Sequence, residues 1–165
     1  MFDAEALLAG DEQALADAIV TLSPELYRYA AGILLSRADA EDAVQNAFIA
    51  LWKHRTSVRD PSAVRAYLYR CTYRACMDMI RLNRLFQPLP RQEEESPMSE
   101  DMRQALKGLS APESAIVYER VVLETPYADL AVRLGLREAT VRKKYQRVKT
   151  KLAKILSPSK TGGNE

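Results

Sequence analysis

Apolar residues recur at helical spacing along most of this 165-residue chain, and that spacing is the strongest constraint on its fold. The clearest case is the stretch 39–52, where Val44, Ala47, Phe48, Leu51 and Trp52 stand at offsets 0, 3, 4, 7 and 8. Glycines are few, and no alternating run of Val, Ile and Thr is present. The sequence therefore predicts an all-α fold.

Two shorter apolar stripes precede this stretch, at 15–22 and 26–33. Ser23 and Pro24 lie between them and have the pattern of an N-cap followed by proline at the first helical position. Asp39 is expected to cap the helix that follows. These features predict three helices around one small core.

A fourth helix is predicted from about Val64 to Arg84, after a loop at 54–63. Its expected core stripe is Leu68, Cys71, Ala75, Met79 and Leu82. The opposite face mixes basic and aromatic residues: Arg70, Tyr73, Arg74, Met77, Arg81 and Arg84, with Tyr67 and Tyr69 near the start. Arginine binds phosphate whatever the strandedness, whereas an aromatic ring stacks on an unpaired base for about 1–3 kcal/mol. The face is therefore a candidate for binding single-stranded DNA; the alternative is a solvated arginine face with core tyrosines.

Residues 86–101 interrupt the helical pattern with three prolines, two serines and three consecutive glutamates. This composition predicts an extended, flexible acidic linker and a domain boundary. Sixteen extended residues reach about 50 Å. That is about one and a half turns of duplex DNA, so the flanking domains could hold separated sites on one DNA molecule.

The second half has the pattern of a helix-turn-helix domain at 102–156, followed by a tail at 157–165 expected to be disordered. Ser110 to Glu113 form a capping box before a helix with Ile116, Val117, Val121 and Val122 as its expected core. Thr125 and Pro126 are expected to cap a short helix that ends at Gly135. A longer basic helix follows, from about Glu138 to Leu156. A short helix, a glycine turn and a basic helix together predict DNA recognition, although a solubilising basic helix would share the pattern.

Charge is segregated along the chain although the net charge is only +2. Residues 53–91 hold 9 basic and 2 acidic residues, and residues 133–165 hold 10 and 2. Residues 1–52, by contrast, hold 2 basic and 9 acidic residues. A polyanion would therefore be bound at two separated places.

The sequence argues against several other classes of protein. No apolar run is long enough to span a membrane and the N-terminus lacks a signal-peptide pattern, so a cytoplasmic location is expected. Cys71 and Cys76 have neither disulfide nor zinc spacing and are expected to be buried small residues. With no catalytic triad, metal cluster or phosphate-binding glycine loop, we expect neither an enzyme nor a cofactor.

Residues of one family pattern occur in order along nearly the whole chain, from about Leu7 to Leu156. In the first half they are Asp39, Asp42, Gln45, Phe48, Trp52, Tyr67, Leu68, Asp78 and Arg81. In the second half they are Leu109, Pro112, Tyr127, Asp129, Leu130, Ala131, Leu134, Gly135, Thr140 and Val141. By this order and spacing the chain resembles the extracytoplasmic-function sigma factors, the small two-domain branch of the bacterial sigma family.

The resemblance implies two helical domains, at 1–85 and 102–156, that recruit RNA polymerase to promoters. It implies that Asp42, Gln45, Asn46, Ile49 and Lys53 bind the clamp helices of the largest polymerase subunit. The polymerase flap is expected to bind the second domain, the linker to lie in the RNA exit channel, and an anti-sigma factor to be a further partner.

The resemblance also implies two sets of promoter contacts. The −10 element would be melted and held by Arg59, Asp60, Tyr67, Arg70, Tyr73, Arg74, Met77, Arg81 and Arg84. The −35 element would be bound in the major groove by Arg137, Glu138, Thr140, Arg142, Lys143, Lys144, Gln146 and Arg147. Arg74 stands where the family usually has Asn, Tyr67 where Trp is common, and Arg137 where Ser usually caps the recognition helix.

Two other functions account for part of the sequence. An autonomous helix-turn-helix regulator would explain the second domain but leave the Asp42, Gln45 and Asn46 face without a role. A polymerase-binding adaptor that has lost promoter recognition would keep that face, and the departures at Arg74 and Arg137 are compatible with it.

Overall fold

The computed structural model describes residues 1–86 and 100–156, and these ranges contain eight α-helices and no strand. The helices are α1 (Ala4–Ala9), α2 (Glu12–Leu34), α3 (Arg37–His54), α4 (Val64–Phe86), α5 (Glu100–Lys107), α6 (Ala111–Val121), α7 (Tyr127–Leu134) and α8 (Glu138–Leu156). The all-α prediction is confirmed. Most of the expected linker, at 87–99, and the expected disordered tail, at 157–165, lie outside the described residues.

The first domain is built by α2, α3 and α4, which pack on one another around a shared core. Leu26 of α2, Leu51 of α3 and Leu68 of α4 are completely buried. The short α1 begins at the Asp3 N-cap and ends at Gly10, which has a positive φ of 99°. None of the helices in the described ranges is both long and apolar enough to span a membrane.

The predicted break between two helices at Ser23 and Pro24 is wrong, because α2 is continuous from Glu12 to Leu34 with Pro24 inside it. Proline lacks the amide hydrogen that a helix interior uses, which normally costs about 3 kcal/mol. Leu22 and Leu26 are both buried on either side of Pro24. Continuing the helix keeps both stripes on one core face, which offsets the cost of the proline.

The N-cap of the third helix lies three residues earlier than predicted, and Asp39 is not its cap. Ser36 is the N-cap, and its hydroxyl accepts a hydrogen bond of 3.3 Å from the amide of Asp39. The predicted stripe is otherwise confirmed for Val44, Phe48 and Leu51, which are buried. Trp52 is only half-buried, and the guanidinium of Arg55 lies 4.3 Å from its ring centroid.

The core face of α4 is rotated from the predicted one. Val64, Leu68, Tyr69, Thr72, Tyr73 and Cys76 are buried, whereas Leu82 is 53% exposed. Cys71 is half-buried, and burial raises the pKa of the Cys76 thiol to about 12. The shift arises because α2 and α3 pack on the side that carries the tyrosines, where ring area outweighs that of the smaller predicted residues.

The second domain is formed by α5 to α8, and its predicted capping box is confirmed. The Ser110 hydroxyl accepts from the amide of Glu113, and the Glu113 carboxylate accepts from the amide of Ser110. The turn at Gly135 is also confirmed, since this residue ends α7 with a φ of 65°. Leu130 of α7 is completely buried.

Three expectations for the second domain are wrong. Val121 and Val122 are 61% and 57% exposed, and the buried side of α6 instead carries Ser114, Ala115, Ile116 and Glu119. Thr125 does not cap α7; Pro126 occupies the N-cap position and Thr125 is buried. Val121 and Val122 are exposed because α6 turns Glu119 toward Tyr29 of the first domain, which the local sequence does not reveal.

Candidate functional surfaces

The outward face of α3 presents all five residues expected to bind a partner. Asp42, Gln45, Asn46, Ile49 and Lys53 are exposed. Ile49 is 63% exposed, which is unusual for a large aliphatic side chain in a row of polar ones. The face is continuous with an apolar groove and is therefore more than a solvated helix side.

The groove lies between α2 and α3 and has a volume of about 440 Å³. It is lined by Leu15, Ile19, Ser23, Val44, Gln45, Phe48, Ile49, Trp52 and Lys53. The sequence did not predict the contribution of α2, because Leu15 and Ile19 belong to a stripe that was expected to be core. An apolar groove edged by polar residues is suited to receive the side chains of a partner helix.

The loop 54–63 folds into two short 3-10 helices, Arg55–Ser57 and Pro61–Ala63, separated by exposed Arg59 and Asp60. Asp60 caps the second one, since its Oδ1 accepts from the amide of Ser62 at 2.9 Å and from the Ser62 hydroxyl at 2.7 Å. These two hydrogen bonds lower the pKa of Asp60. Asp60 thus holds the loop conformation, and Arg59 beside it is exposed.

The basic face of α4 is retained in the structure without two of its predicted aromatics, Tyr69 and Tyr73, which are buried. Arg70, Arg74 and Arg81 are exposed, and Tyr67 and Met77 are half-buried among them. Tyr73 is only 8% exposed and belongs to the core, so its predicted position on this face is wrong. The side chain of Arg84 lies outside the described residues. Tyr67 is therefore the aromatic ring left beside the exposed arginines of this face.

The outward side of α8 displays the residues predicted to contact duplex DNA. Arg137, Glu138, Arg142, Lys143, Gln146 and Arg147 are exposed, whereas Thr140 and Lys144 are half-buried. Val141 and Val148 are completely buried on the other side and fix the rotation of the helix. A basic helix held this way after a glycine turn matches the geometry that enters a major groove.

Arg142 differs from its neighbours because the domain already engages its guanidinium. It forms an ion pair of 2.6 Å with Glu138, one turn earlier on α8. It also lies 4.5 Å from the centroid of the Tyr127 ring on α7. Arg142 is thereby oriented by its own domain, and Lys143 and Arg147 are exposed on the same helix.

A buried polar cluster joins the two domains and was not predicted. Glu119 of α6 is completely buried, and its Oε1 accepts a 3.0 Å hydrogen bond from the hydroxyl of Tyr29 on α2. Its Oε2 accepts a 2.6 Å bond from Arg133 of α7. Burial raises the pKa of Glu119, and Arg133 opposes that rise. No sequence pattern signals this cluster, because its partners are far apart in the chain.

Two family models match the chain. One describes sigma-70 region 2 and matches residues 18–85; the other describes sigma-70 region 4 and matches residues 99–152. The extracytoplasmic-function RNA polymerase sigma factor SigM of Mycobacterium tuberculosis is 28% identical, with 98% of this chain and 88% of that protein covered.

Two solved structures have a similar fold. RpoE, a sigma factor solved with the anti-sigma factor NepR from Bartonella quintana, has a TM-score of 0.72 at 20% identity. The match covers 87% of this chain and 97% of the RpoE chain. CnrH, solved with the cytosolic domain of CnrY, has a TM-score of 0.70 at 20% identity. The match covers 93% of this chain and 94% of the CnrH chain.

Proposed function

The chain belongs to the extracytoplasmic-function sigma factors, which direct RNA polymerase to promoters, and from this premise we propose which surfaces perform each step. The proposed units are a polymerase-docking and −10-binding domain at 1–85, a linker at 86–101 and a −35-binding domain at 102–156. The family is one of DNA-recognition subunits, so we assign the chain no catalytic role and place its action in the cytoplasm, with the polymerase.

The polymerase-binding surface is the face of α3 with Asp42, Gln45, Asn46, Ile49 and Lys53. The observation that carries this assignment is the exposure of Ile49 at the edge of the apolar groove between α2 and α3. A helical clamp could insert aliphatic side chains there while its polar groups pair with Asp42 and Gln45. The flap of the polymerase is the proposed partner of the second domain.

The promoter-binding surfaces are the exposed residues of the 54–63 loop and α4 for −10, and of α8 for −35. Support comes from their positive charge and from the half-buried Tyr67, which can present a ring edge to an unpaired base. Each contact can be weak on its own, because the tether makes the second contact intramolecular. The matches to both sigma regions disfavour an autonomous regulator, which would not require the first.

We also propose an anti-sigma factor as a partner, since RpoE, which has this fold, was solved with the anti-sigma factor NepR, and CnrH, which also has it, was solved with the cytosolic domain of CnrY. The apolar groove is a suitable site for it, in competition with polymerase. An inhibitor bound there would cover Ile49 and keep the chain from the core enzyme.

Co-purification with core RNA polymerase tests the docking surface. The double variant Asp42→Ala with Gln45→Ala should weaken binding while leaving helicity by circular dichroism unchanged. A matched control is Gln13→Ala with Asp17→Ala, since these exposed residues hydrogen-bond to each other on α2 and do not line the groove. Equal binding by wild type and the α3 variant would remove the assigned role of this face.

A further inference from the structure

Arg55 stands at the junction between α3, whose outer face is assigned to polymerase docking, and the loop assigned to the −10 element. Its guanidinium lies 4.3 Å from the centroid of the Trp52 ring, within the range of a cation–π contact. Its Nη1 also donates a 2.6 Å hydrogen bond to the backbone carbonyl of Trp52. That carbonyl belongs to the last turn of α3, where carbonyls lack a partner within the helix. The side chain therefore caps α3 from the loop that follows it.

The backbone around Arg55 fixes the first half of that loop. The carbonyl of Arg55 accepts a 3.2 Å hydrogen bond from the amide of Val58. The hydroxyl of Ser57 donates a 2.7 Å bond to the carbonyl of His54. Val58 is half-buried and packs against the core, and the exposed Arg59 follows it directly. The position of Arg55 thus sets the direction in which the chain reaches Arg59.

Helix α1 bounds the Arg55 side chain from another part of the chain. It packs on both 3-10 helices of the loop, and its Leu7 is completely buried. Gly10 ends α1 with a φ of 99°, and a Cβ placed there would lie 3.5 Å from both Nε and Nη2 of Arg55. The end of α1 therefore lies beside the same guanidinium that stacks on Trp52.

The family match does not extend to α1, because the match to sigma-70 region 2 begins at residue 18. The docking groove does not involve α1 either, since the residues that line it come from α2 and α3. Helix α1 instead packs on α2 and on the two 3-10 helices of the loop 54–63. The loop is therefore the functional element whose conformation α1 can influence.

We propose that α1 and Arg55 support the loop 54–63 in the conformation that binds unpaired bases of the −10 element, with Arg55 as the positioning residue. The inference rests on the proposed function, which assigns the loop to that element. A loop already held in its binding conformation loses less conformational entropy on binding, so the support increases affinity for the matched sequence. Arg55 acts through Arg59 and Asp60 and does not itself have to touch DNA.

A direct phosphate contact is the competing role for Arg55, which is half-buried close to the exposed Arg59. The two roles predict different responses to lysine. Lysine keeps the charge that attracts a phosphate, but it lacks the planar group that stacks on Trp52 while donating to its carbonyl. Arg55→Lys therefore separates a positioning role from a charge contact.

The test measures binding of the holoenzyme, formed with core RNA polymerase, to fluorescent single-stranded oligonucleotides. One carries the −10 sequence of a promoter mapped by 5′-end sequencing, and the other carries the same bases in scrambled order. The ratio of the two dissociation constants is the readout, because a smaller folded fraction changes both apparent constants alike. Arg55→Ala and Arg55→Lys should each lower the preference for the matched sequence by roughly tenfold, which equals about 1.4 kcal/mol. Arg28→Lys is the control and should keep the wild-type preference, because Arg28 is exposed on α2 and does not line the groove.

Gly10→Ala tests the contribution of α1 separately. Alanine is strained at a φ of 99°, and its methyl group would lie against the guanidinium of Arg55, so the preference should fall by roughly threefold. In the Arg55→Ala background the same substitution should have little further effect, because the guanidinium that it displaces is absent. Gly32→Ala is the control, since a Cβ at Gly32, inside α2, meets nothing within 4 Å.

Wild-type preference in both Arg55 variants would overturn the proposal. Loss in Arg55→Ala with full preference in Arg55→Lys would also overturn it, because charge alone would then be sufficient. Equal losses from Gly10→Ala in both backgrounds would show that α1 does not act through Arg55. Weaker binding of the Arg55 variants to core polymerase would assign the residue to docking through Trp52 and would contradict the support role. No preference by the wild-type holoenzyme would instead overturn the proposed −10 function on which the inference rests.

Discussion

The hydroxyl of Tyr29 donates a 3.0 Å hydrogen bond to the carboxylate of Glu119, although the two residues lie 90 positions apart in different domains. Glu119 is completely buried, and its second oxygen is bound by Arg133. A buried carboxylate is costly unless its oxygens are satisfied. The first domain therefore supplies part of the environment of a residue in the second.

The stability of the folded chain should depend on pH through Glu119. Burial raises the pKa of this carboxyl above its ordinary value of 4.5, so the folded state binds its proton more tightly than the unfolded state. The resulting contribution is fully present below pH 4.5 and is lost as pH rises through the raised pKa.

Urea unfolding of wild type and Glu119→Gln between pH 4 and pH 8 measures that contribution, because Gln does not titrate. The free energy of unfolding of wild type minus that of the variant should fall as pH rises. A difference that stays constant over this range would show that Glu119 does not titrate as its burial predicts.

Ile49→Asp should weaken binding to core polymerase by roughly 10- to 30-fold. The aliphatic side chain is worth about 1.5–2 kcal/mol when it is buried by a partner, and the added carboxylate would have to be desolvated. Surface plasmon resonance with immobilised core enzyme gives the affinity. Val20→Asp is the control, since Val20 is 77% exposed on α2 and does not line the groove. Equal losses in both variants would indicate a general charge effect.

Lys143→Glu with Arg147→Glu should abolish −35-dependent transcription and spare polymerase binding, because both side chains are exposed on the side of α8 that we propose binds DNA. Lys149→Glu with Lys154→Glu changes the net charge equally on the same helix but outside the 137–147 segment, and a much smaller loss is expected. Transcription from a mapped promoter and co-purification with core enzyme provide the two readings. Loss of polymerase binding as well would point to misfolding of the second domain.

Pro24→Ala should stabilise the chain by about 1–3 kcal/mol, because it restores an amide donor in the interior of α2. Pro112→Ala is the comparison. Pro112 stands in the first turn of α6, where proline is compatible with the helix, so no gain is expected there. The free energy of unfolding in urea reports both changes, and destabilisation by Pro24→Ala would mean that the proline shapes α2 in a way the core requires.

Local signals in the sequence were sufficient to predict much of the fold. The capping box at Ser110 and the glycine turn at Gly135 depend on neighbours within a few residues, and both were predicted correctly. The continuous stripe of α3 likewise required only helical spacing. The exposed faces of α3 and α8 follow from those stripes, so nearly all their candidate residues are at the surface.

The wrong predictions concern residues whose positions are set by contacts with distant parts of the chain. Pro24 lies inside a helix because the apolar stripes before and after it are both buried against α3 and α4. This burial outweighs the local preference of proline for the start of a helix. Tyr73 is in the core because neighbouring helices cover it, and Val121 is exposed because α6 turns Glu119 toward Tyr29. Residue type alone would have placed a valine inside and a glutamate outside.

Run-off transcription with purified core RNA polymerase tests the central claim most directly. Genomic fragments are transcribed with and without this chain, and the transcript 5′ ends are sequenced. We predict new transcripts with discrete 5′ ends, preceded by two shared sequence elements, only when the chain and core enzyme are both present. An identical set of transcripts with and without the chain would contradict its assignment as a promoter-specificity subunit.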